Sequence, residues 1–231
     1  MRVFRGRAET IEADREVSGR LLEVAADGER AVRVWTPHRQ VAFGRRDSRL
    51  EGYDRAREAA RERAFPPIER SVGGRAVAYD GETTLAFARA EPIADFRRGT
   101  DERYERLTAN VADALEKLGV GLERGEPDDS FCPGAHSLST VDGNGRRKIA
   151  GIAQRVRQDA ALVSGILVVD NREELARALE AVYGSLEVPL EPENVGSVAA
   201  AGGPSDPERI ARVLEDRLAG GRPLEVVEID E

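Results

Sequence analysis

The strongest constraint on the fold is a turn sequence in the second half of the chain. Asp142-Gly-Asn-Gly145 has the residues that tight β-hairpin turns favour, and the flanking segments 135–141 and 146–157 have strand-like composition. A third β-rich run follows at 160–169. Three strands joined by short connections predict an antiparallel meander, in which a hairpin centred near residue 143 places Lys148 opposite about Ser139.

The rest of the sequence alternates helix and strand signals. Helices are predicted where apolar spacing, caps and stop residues agree, at 10–26, 49–64, 101–118, 173–183 and 207–218. Further strands are predicted at 31–35, 40–43, 68–72, 75–79, 84–89 and 224–229. This order indicates an α+β fold with mixed, largely antiparallel sheets flanked by helices. We assign residues 1–185 to the main domain and 186–231 to a C-terminal loop, helix and strand packed on the same domain.

Composition limits the classes of partner. The 231 residues have a net charge of −8, which argues against general nucleic-acid binding because such binding needs basic patches. No apolar run is long enough to cross a membrane, and the N-terminus lacks the pattern of a secretion signal, so we expect a cytoplasmic protein. Only two of the 35 basic residues are lysines, and with the acidic excess this indicates a halophilic protein from a salt-rich cytoplasm.

Cysteine and histidine are too scarce for several kinds of site. Cys132 is the single cysteine, so an internal disulfide and a cysteine metal cluster are both excluded. The two histidines, His38 and His136, lie far apart in sequence and form no metal motif. We therefore predict no metal site.

A glycine pair between two predicted strands is the first candidate for a binding site. Gly73 and Gly74 would let the backbone approach a ligand closely, and Arg70 and Arg75 beside them could hold a carboxylate or a phosphate. The same residues are also typical of an ordinary hairpin with solvated arginines.

The lone cysteine is the second candidate. Cys132 lies in Ser130-Phe-Cys-Pro-Gly134, among turn residues, so its thiol could be accessible for nucleophilic chemistry. An inert buried cysteine is the alternative, since that is a common fate of unpaired cysteine.

A lysine on a strand is the third candidate. Lys148 precedes the small residues Gly151 and Ala153, which would leave space beside the strand for a substrate chain. In a chain that otherwise uses arginine, a retained lysine indicates a need for a compact ammonium group. Protection of a hairpin edge is the alternative explanation.

These three segments, in this order, resemble those of the biotin/lipoate A/B protein ligase and octanoyltransferase superfamily. The family's R-x-S-G-G-x-A-V-x-x-D type loop is matched at six positions, and its K-x-x-G-x-[AS]-Q type strand at four: Arg70, Gly73, Gly74, Ala76, Val77 and Asp80, then Lys148, Gly151, Ala153 and Gln154. Val41-Ala-Phe-Gly-Arg-Arg46 is similar to an early strand of the family. The match covers roughly residues 30–170 and implies a class II biotin/lipoate ligase-like catalytic domain.

Departures from the ligase pattern favour a cysteine-dependent branch. Val72 replaces the family serine, Arg75 the third glycine of lipoate ligases, and Tyr79 the histidine before the aspartate. The Cys132 segment and Pro192-Glu-Asn-Val-Gly-Ser197 are closer to octanoyl/lipoyl amidotransferases, which move an acyl group between lipoyl-domain proteins.

This resemblance implies an acyltransferase that works through a cysteine thioester onto a specific lysine of a lipoyl-domain protein. Cys132 would be the nucleophile, and Lys148 would lie close to the thiol, favour the thiolate and stabilise the reacting carbonyl. His136 could act as a base but ranks below Lys148. Substrate-binding residues would be Arg70, Gly73, Gly74, Arg75, Ala76, Tyr79, Gly151, Ala153 and Gln154. Partners would be the glycine cleavage H protein, 2-oxoacid dehydrogenase E2 or acyl carrier protein, and no cofactor is required.

Two alternatives stay open. An ATP-dependent lipoate-protein ligase catalytic subunit would use ATP and Mg, with Lys148 on the acyl carboxylate and α-phosphate and Cys132 incidental. A non-catalytic protein that binds a lipoyl domain or lipoate is the second alternative, and Val72 and Tyr79 are its best support.

Overall fold

The computed structural model describes residues 1–70, 74–143 and 145–229, and its main element is an eight-stranded sheet. The strand order is β11-β1-β2-β6-β10-β9-β8-β7. The strands are β1 (Arg2–Arg5), β2 (Ala31–Trp35), β6 (Thr84–Pro92), β7 (Glu123–Arg124), β8 (Ser137–Asp142), β9 (Gly145–Val156), β10 (Ala160–Val168) and β11 (Glu225–Glu228). Strand β1 pairs in parallel with both β11 and β2. The remaining neighbours in the sheet order, β2-β6-β10-β9-β8-β7, pair in an antiparallel direction. The predicted mixed, largely antiparallel α+β fold is therefore confirmed.

A second sheet of three strands faces the first across the candidate site. Its order is β4-β3-β5, formed by β3 (Gln40–Phe43), β4 (Pro67–Glu69) and β5 (Val77–Tyr79). Strand β3 pairs with β5 in an antiparallel register that sets Gln40 opposite Tyr79 and Ala42 opposite Val77. These alternate residues consequently lie on one face of the small sheet.

Five α-helices cover the two sheets: α1 (Ile11–Ala26), α2 (Tyr53–Glu62), α3 (Thr100–Glu116), α4 (Arg172–Ser185) and α5 (Pro207–Ala219). One core contains Val111 of α3 and Leu214 of α5, together with Phe87 of β6. A second core joins α2 and α4 to the small sheet, and a third packs α1 on β6 and β10. The apolar spacing of each helix buries one face: α1, α3 and α5 pack against the large sheet, α4 packs against β5, and α2 packs chiefly against α4.

The predicted hairpin register is confirmed, because Ser139 lies opposite Lys148. The long predicted helix over 49–64 is wrong at its start: a 3₁₀ turn occupies Asp47–Arg49 and α2 begins at Tyr53. Part of the predicted strand 68–72 lies outside the described residues. The C-terminal segment adds α5 and β11 to the same sheet assembly, while the boundary after residue 185 stays a prediction.

In the described part of the chain, none of the helices combines the length and apolar composition that a membrane span requires.

Candidate active site

Residues 125–136 connect β7 to β8 and carry Cys132; we call them the cysteine loop. At Cys132 this loop has an unusual backbone conformation. Cys132 has φ of 41°, in the left-handed region that a residue with a Cβ seldom adopts without support. Its N–H donates to the Tyr183 hydroxyl at 2.6 Å, and that hydroxyl donates to the Ala76 carbonyl at 2.9 Å. Burial, followed by the effect of Cys132, raises the pKa of Tyr183 well above its usual value. The phenol therefore stays protonated and joins the cysteine loop to β5.

The ammonium of Lys148 holds the same loop from the other side. Its Nζ donates to Glu126 Oε2 at 2.7 Å and to the carbonyl oxygens of Phe131 at 2.8 Å and Cys132 at 2.9 Å. The side chain is fully buried, and three hydrogen bonds use all its donors. Glu126 also accepts from the Gly134 N–H and the Ser137 hydroxyl, each at 2.7 Å. Lys148 and Glu126 together tie both ends of the cysteine loop to the hairpin.

A bulge in β9 directs Lys148 toward this loop. The register steps from Leu138 opposite Ala150 to Ser139 opposite Lys148, so Ile149 is the extra residue. Without the bulge, Lys148 and Gly151 would point to opposite faces of the sheet. With it, they share a face, and a Cβ built on Gly151 would lie 3.3 Å from Lys148 Cε.

The sulfur itself faces an arginine and a backbone amide. Arg70 Nη2 donates to Cys132 Sγ at 3.1 Å, and the Arg75 N–H points to Sγ at 3.4 Å. Arg70 Nη2 also donates to the Arg75 carbonyl at 2.7 Å. Burial lowers the Arg70 pKa, but the electrostatic interactions with Cys132 and Tyr79 and the hydrogen bond to Sγ outweigh burial, so the pKa is raised. Arg70 is therefore the cation in direct contact with the Cys132 sulfur, whereas the Lys148 ammonium donates to the Cys132 carbonyl oxygen.

A glycine at position 74 makes this approach possible. Gly74 has φ of 95°, and a Cβ there would lie 2.8 Å from Cys132 Sγ. Its carbonyl packs on Gly44, where an added Cβ would lie only 2.0 Å away. Asp47 accepts from the Gly44 N–H at 2.9 Å and pairs with Arg75 at 3.3 Å. Backbone-to-backbone packing thus aligns the Arg75 amide with the sulfur.

The buried carboxylate of Asp47 carries a raised pKa. Burial is the main cause, and it outweighs the hydrogen bonds from Gly44 and Arg75, which act in the opposite direction. The pairing with Arg75 keeps the carboxylate within an ion pair next to the cysteine loop.

A cavity of about 540 Å³ opens from the cysteine between the two sheets and α1. The large sheet contributes small or aliphatic residues to the wall, including Ala86, Ala88, Gly151, Ala153, Leu162 and Ile166. The small sheet contributes Gln40, Ala42, Val77 and Tyr79, and α1 contributes Arg15. Cys132, Arg70 and Lys148 line the cavity as well. It is a mostly apolar chamber with its reactive groups gathered around the cysteine.

Most of the predicted site residues come together here. Tyr79, Gly151 and Ala153 line the cavity, and Ala76 is buried with its carbonyl bonded to Tyr183. Gly73 lies outside the described residues.

Two predicted residues are placed elsewhere. Gln154 accepts a hydrogen bond from Arg103 of α3 and donates to the Thr100 carbonyl at 3.4 Å, so it faces away from the cavity. The ring of His136 stacks on Tyr104 with centroids 3.7 Å apart. The hydrogen bonds found for Cys132 in the described residues do not include this histidine.

Sequence reasoning missed three residues that build the site, namely Asp47, Glu126 and Tyr183. Asp47 lies in a charged segment, Glu126 belongs to an acidic loop, and Tyr183 is one of several buried residues on α4. Only their tertiary partners distinguish them, so no sequence signal was available to find them.

Asp80, the last residue of the family-type loop, organises the turn between β5 and β6. Its carboxylate accepts from the N–H groups of Glu82, Thr83 and Thr84 at 2.8 to 3.1 Å. It also accepts from the Thr83 hydroxyl and, at 3.0 Å, from Asn171. Burial raises the pKa of Asp80, but these hydrogen bonds outweigh burial and hold the pKa below its usual value. The role is structural, since Asp80 joins the turn to the start of α4.

Within the segments that the structure describes, no group of three or more histidine, cysteine or acidic side chains is arranged to hold a metal ion.

Comparison with known proteins places this fold and site in context. A family model described as the lipoyl protein ligase A/B catalytic domain matches residues 16–216. An octanoyl-GcvH:protein N-octanoyltransferase of Geobacillus kaustophilus is 31% identical over 160 residues, covering 66% of this chain and 54% of the relative. A lipoyl-GcvH:protein N-lipoyltransferase of Listeria monocytogenes is 29% identical over 157 residues, covering 66% and 55%. The chain thus spans about half the length of these curated relatives.

Solved structures share the fold at low sequence identity. A lipoate-protein ligase A bound with ATP has a TM-score of 0.77 at 17% identity, covering 100% of this chain and 89% of that one. Protein Ta0514 of T. acidophilum, solved with bound lipoic acid, has a TM-score of 0.74 at 16% identity with the same coverage.

Proposed function

The chain belongs to the lipoyl protein ligase A/B catalytic-domain family, and from this premise we propose that it transfers an octanoyl or lipoyl group through a thioester on Cys132 to a lysine of a lipoyl-domain protein. Curated relatives that carry out octanoyl or lipoyl transfer from GcvH support the reaction class.

The observation that carries this proposal is the environment of the Cys132 sulfur. A guanidinium at 3.1 Å and a backbone N–H at 3.4 Å both point at Sγ, at the wall of an apolar cavity. A positive group beside a thiol favours the thiolate, which is the nucleophilic form. An inert structural cysteine needs neither a charged partner nor an adjoining cavity.

The first step is attack of the Cys132 thiolate on the carbonyl carbon of an acyl-lysine amide. A carbon–sulfur bond forms, the carbon–nitrogen bond breaks, and the released lysine amine takes up the proton that the thiol gave up. The Arg75 N–H is the candidate donor to the carbonyl oxygen as that oxygen gains charge, because it already faces the sulfur. Arg70 holds the sulfur before attack and after release.

The second step is attack of the acceptor lysine amine on the thioester. A new carbon–nitrogen bond forms, the carbon–sulfur bond breaks, and the proton that the amine gives up passes to the departing sulfur, so the thiol is regenerated beside Arg70. Lys148 serves both steps by holding the Phe131 and Cys132 carbonyls, and so keeps the sulfur at the cavity wall.

The energetics of this exchange require no nucleotide. One amide is broken and one equivalent amide is formed, so the overall transfer is nearly balanced. We therefore propose that the chain acts without ATP or Mg, in contrast to a ligase that must activate a free acid.

The cavity supports a medium-length acyl chain as the transferred group. Its alanine, glycine, leucine and isoleucine walls would bury methylene groups, each worth about 0.8 kcal/mol. We propose the glycine cleavage H protein and 2-oxoacid dehydrogenase E2 as donor and acceptor, with acyl carrier protein as the other possible donor class, and the cytoplasm as the place of action.

A transfer assay tests this function. The chain is incubated with octanoylated H protein and an unmodified E2 lipoyl domain, with and without ATP, and the lipoyl domain is analysed by mass spectrometry. We expect ATP-independent octanoylation by the wild type and none by Cys132→Ser. Transfer from free octanoate that needs ATP and survives Cys132→Ser would instead identify a ligase. Failure of both reactions, with retained lipoyl-domain binding, would identify a non-catalytic binder.

A further inference from the structure

A second cleft, separate from the cysteine cavity, is lined by arginines from four parts of the fold. It has a volume of about 400 Å³. The five arginines are Arg30 before β2, Arg89 of β6, Arg106 of α3, and Arg217 and Arg222 in and after α5.

The cleft lies on the opposite face of the large sheet from Cys132. Arg89 shares its face of β6 with Phe87, which packs in the core that contains α3 and α5. Ala86 and Ala88, which alternate with these residues, line the cysteine cavity on the other face. A ligand in the arginine cleft would therefore not contact the reactive sulfur.

Positive charge in the cleft exceeds the negative charge beside it. Glu91 Oε2 lies 2.8 Å from Arg106 Nη1 and 3.7 Å from Arg89 Nε. Asp113 makes a long contact with Arg217 at 3.9 Å. Among the described residues, three positive charges remain at one place even if each of these two carboxylates neutralises one arginine, in a chain whose net charge is −8.

Three guanidinium Nε atoms beside the cleft make no hydrogen bond to the described residues. The Nε atoms of Arg30, Arg89 and Arg217 are buried and have no hydrogen-bond partner among the residues described. Arg89 is only 12% exposed, and its Nη1 donates to the Leu218 carbonyl at 3.2 Å, which orients the group. Nε atoms without a hydrogen bond also occur elsewhere in the described residues, on Arg2, Arg33 and Arg70. The excess charge and the fixed orientation of Arg89, rather than these atoms, therefore indicate a ligand.

We propose that this cleft binds a multiply charged oxyanion of the phosphate class, of which a diphosphate group is the best match. Guanidinium groups form paired hydrogen bonds to phosphate oxygens, and several of them can share one such anion. A single carboxylate would leave most of the excess charge and donors unmatched. This inference does not depend on the transferase activity.

Titration calorimetry with sodium pyrophosphate tests the proposal, with orthophosphate and sulfate as comparison anions at matched ionic strength. The test variant, Arg106→Gln with Arg222→Gln, removes two exposed arginines of the cleft. The control variant, Arg61→Gln with Arg98→Gln, removes two exposed arginines that pair locally with Glu58 and Asp95. We expect the wild type and the Arg61/Arg98 variant to bind pyrophosphate with equal affinity and more tightly than sulfate. The Arg106/Arg222 variant should bind about ten-fold more weakly or worse, as expected for lost charge-assisted hydrogen bonds.

Three results would overturn the proposal. Pyrophosphate could bind the wild type no better than sulfate does. It could bind the Arg106/Arg222 variant as tightly as the wild type, which would locate the anion elsewhere, including the Arg70 region. The Arg61/Arg98 variant could lose as much affinity as the cleft variant, which would identify a general charge effect. Circular dichroism spectra of both variants establish that they are folded.

Discussion

At the residue scale, the proposed reactivity of Cys132 depends on which cation contacts the sulfur. Arg70 donates directly to Sγ, whereas Lys148 and its partner Glu126 act on the backbone around it. An arginine cannot give up its proton at physiological pH, so it can stabilise a thiolate but cannot serve as its base. We therefore infer that Arg70 stabilises negative charge on the sulfur, and that Lys148 and Glu126 hold the sulfur in position.

Replacing Arg70 by glutamine tests the first assignment. The loss of a charge-assisted hydrogen bond is worth about 1.5–3 kcal/mol, so alkylation of Cys132 by iodoacetamide at pH 7 should slow about ten-fold or more. Intact-mass kinetics measure this rate, and circular dichroism checks the fold. Arg61→Gln, on the exposed surface of α2, is the control and should react like the wild type. Equal rates for Arg70→Gln and wild type would contradict the assignment.

Glu126→Gln tests the second assignment. Lys148 is fully buried, so removing the charge of its partner leaves an unpaired buried ammonium and should cost about 3 kcal/mol of unfolding free energy. Urea denaturation measures the loss, and transfer activity should fall with it because the cysteine loop loses its anchor.

The matched control is Glu123→Gln, three residues earlier. Glu123 pairs with Arg146 at 2.8 Å but is 60% exposed, so its loss should cost about 0.5 kcal/mol or less. Similar losses for the two variants would show that the buried pair has no special role.

At the element scale, the turn between β5 and β6 depends on Asp80. Because hydrogen bonds hold its pKa in the folded state below the unfolded value, its contribution is fully present above the unfolded pKa of about 3.9 and is lost as pH falls through the lower folded pKa. We therefore expect Asp80→Asn to be less stable than the wild type at pH 7, with the difference shrinking below about pH 4. Denaturation at several pH values checks this, and a difference independent of pH would refute it.

Secondary-structure elements were predictable from the sequence where the residues that determine them are close together along the chain. The Asp142–Gly145 turn placed β8 and β9 in the correct register because the turn chemistry and the pairing are contiguous in sequence. Strand β1, only four residues long, was missed because its burial depends on parallel pairing with β2 and β11. The β9 bulge at Ile149 was also missed, although it decides which face Lys148 occupies.

The candidate site was predictable only in part for the same reason. Cys132, Lys148 and the Arg70 loop stand out as rare residues or as family motifs, and the structure brings them to one cavity. Glu126 and Tyr183 act through contacts 22 and 51 residues away along the chain. Such pairings depend on tertiary packing, which no local pattern encodes.

At the scale of the whole molecule, the acidic surface predicts a dependence on salt. Repulsion in a chain with a net charge of −8 opposes the compact state and is screened as ionic strength rises. The unfolding free energy should therefore increase from about 0.01 M to about 1 M KCl, over which the screening length falls from about 30 Å to about 3 Å. Thermal unfolding across this range measures it. A flat or falling dependence would contradict the halophilic interpretation.

At the same scale, the two-sheet architecture fits the proposed use of a single thiol by two protein substrates. The cysteine loop lies where the small sheet, the large sheet and α4 meet, and the apolar cavity extends from it between the sheets. An acyl group stored on Cys132 could stay in that cavity while donor and acceptor exchange outside. The proposed function requires that stored intermediate.

The most direct measurement is the intact mass of the chain after brief incubation with octanoylated H protein, without ATP and without acceptor. We predict a wild-type species heavier by one octanoyl group, located on Cys132 by peptide mapping and removed by neutral hydroxylamine, and no such species for Cys132→Ala. Octanoyl transfer by the wild type with no acyl-enzyme at any time, or undiminished transfer by Cys132→Ala, would contradict it.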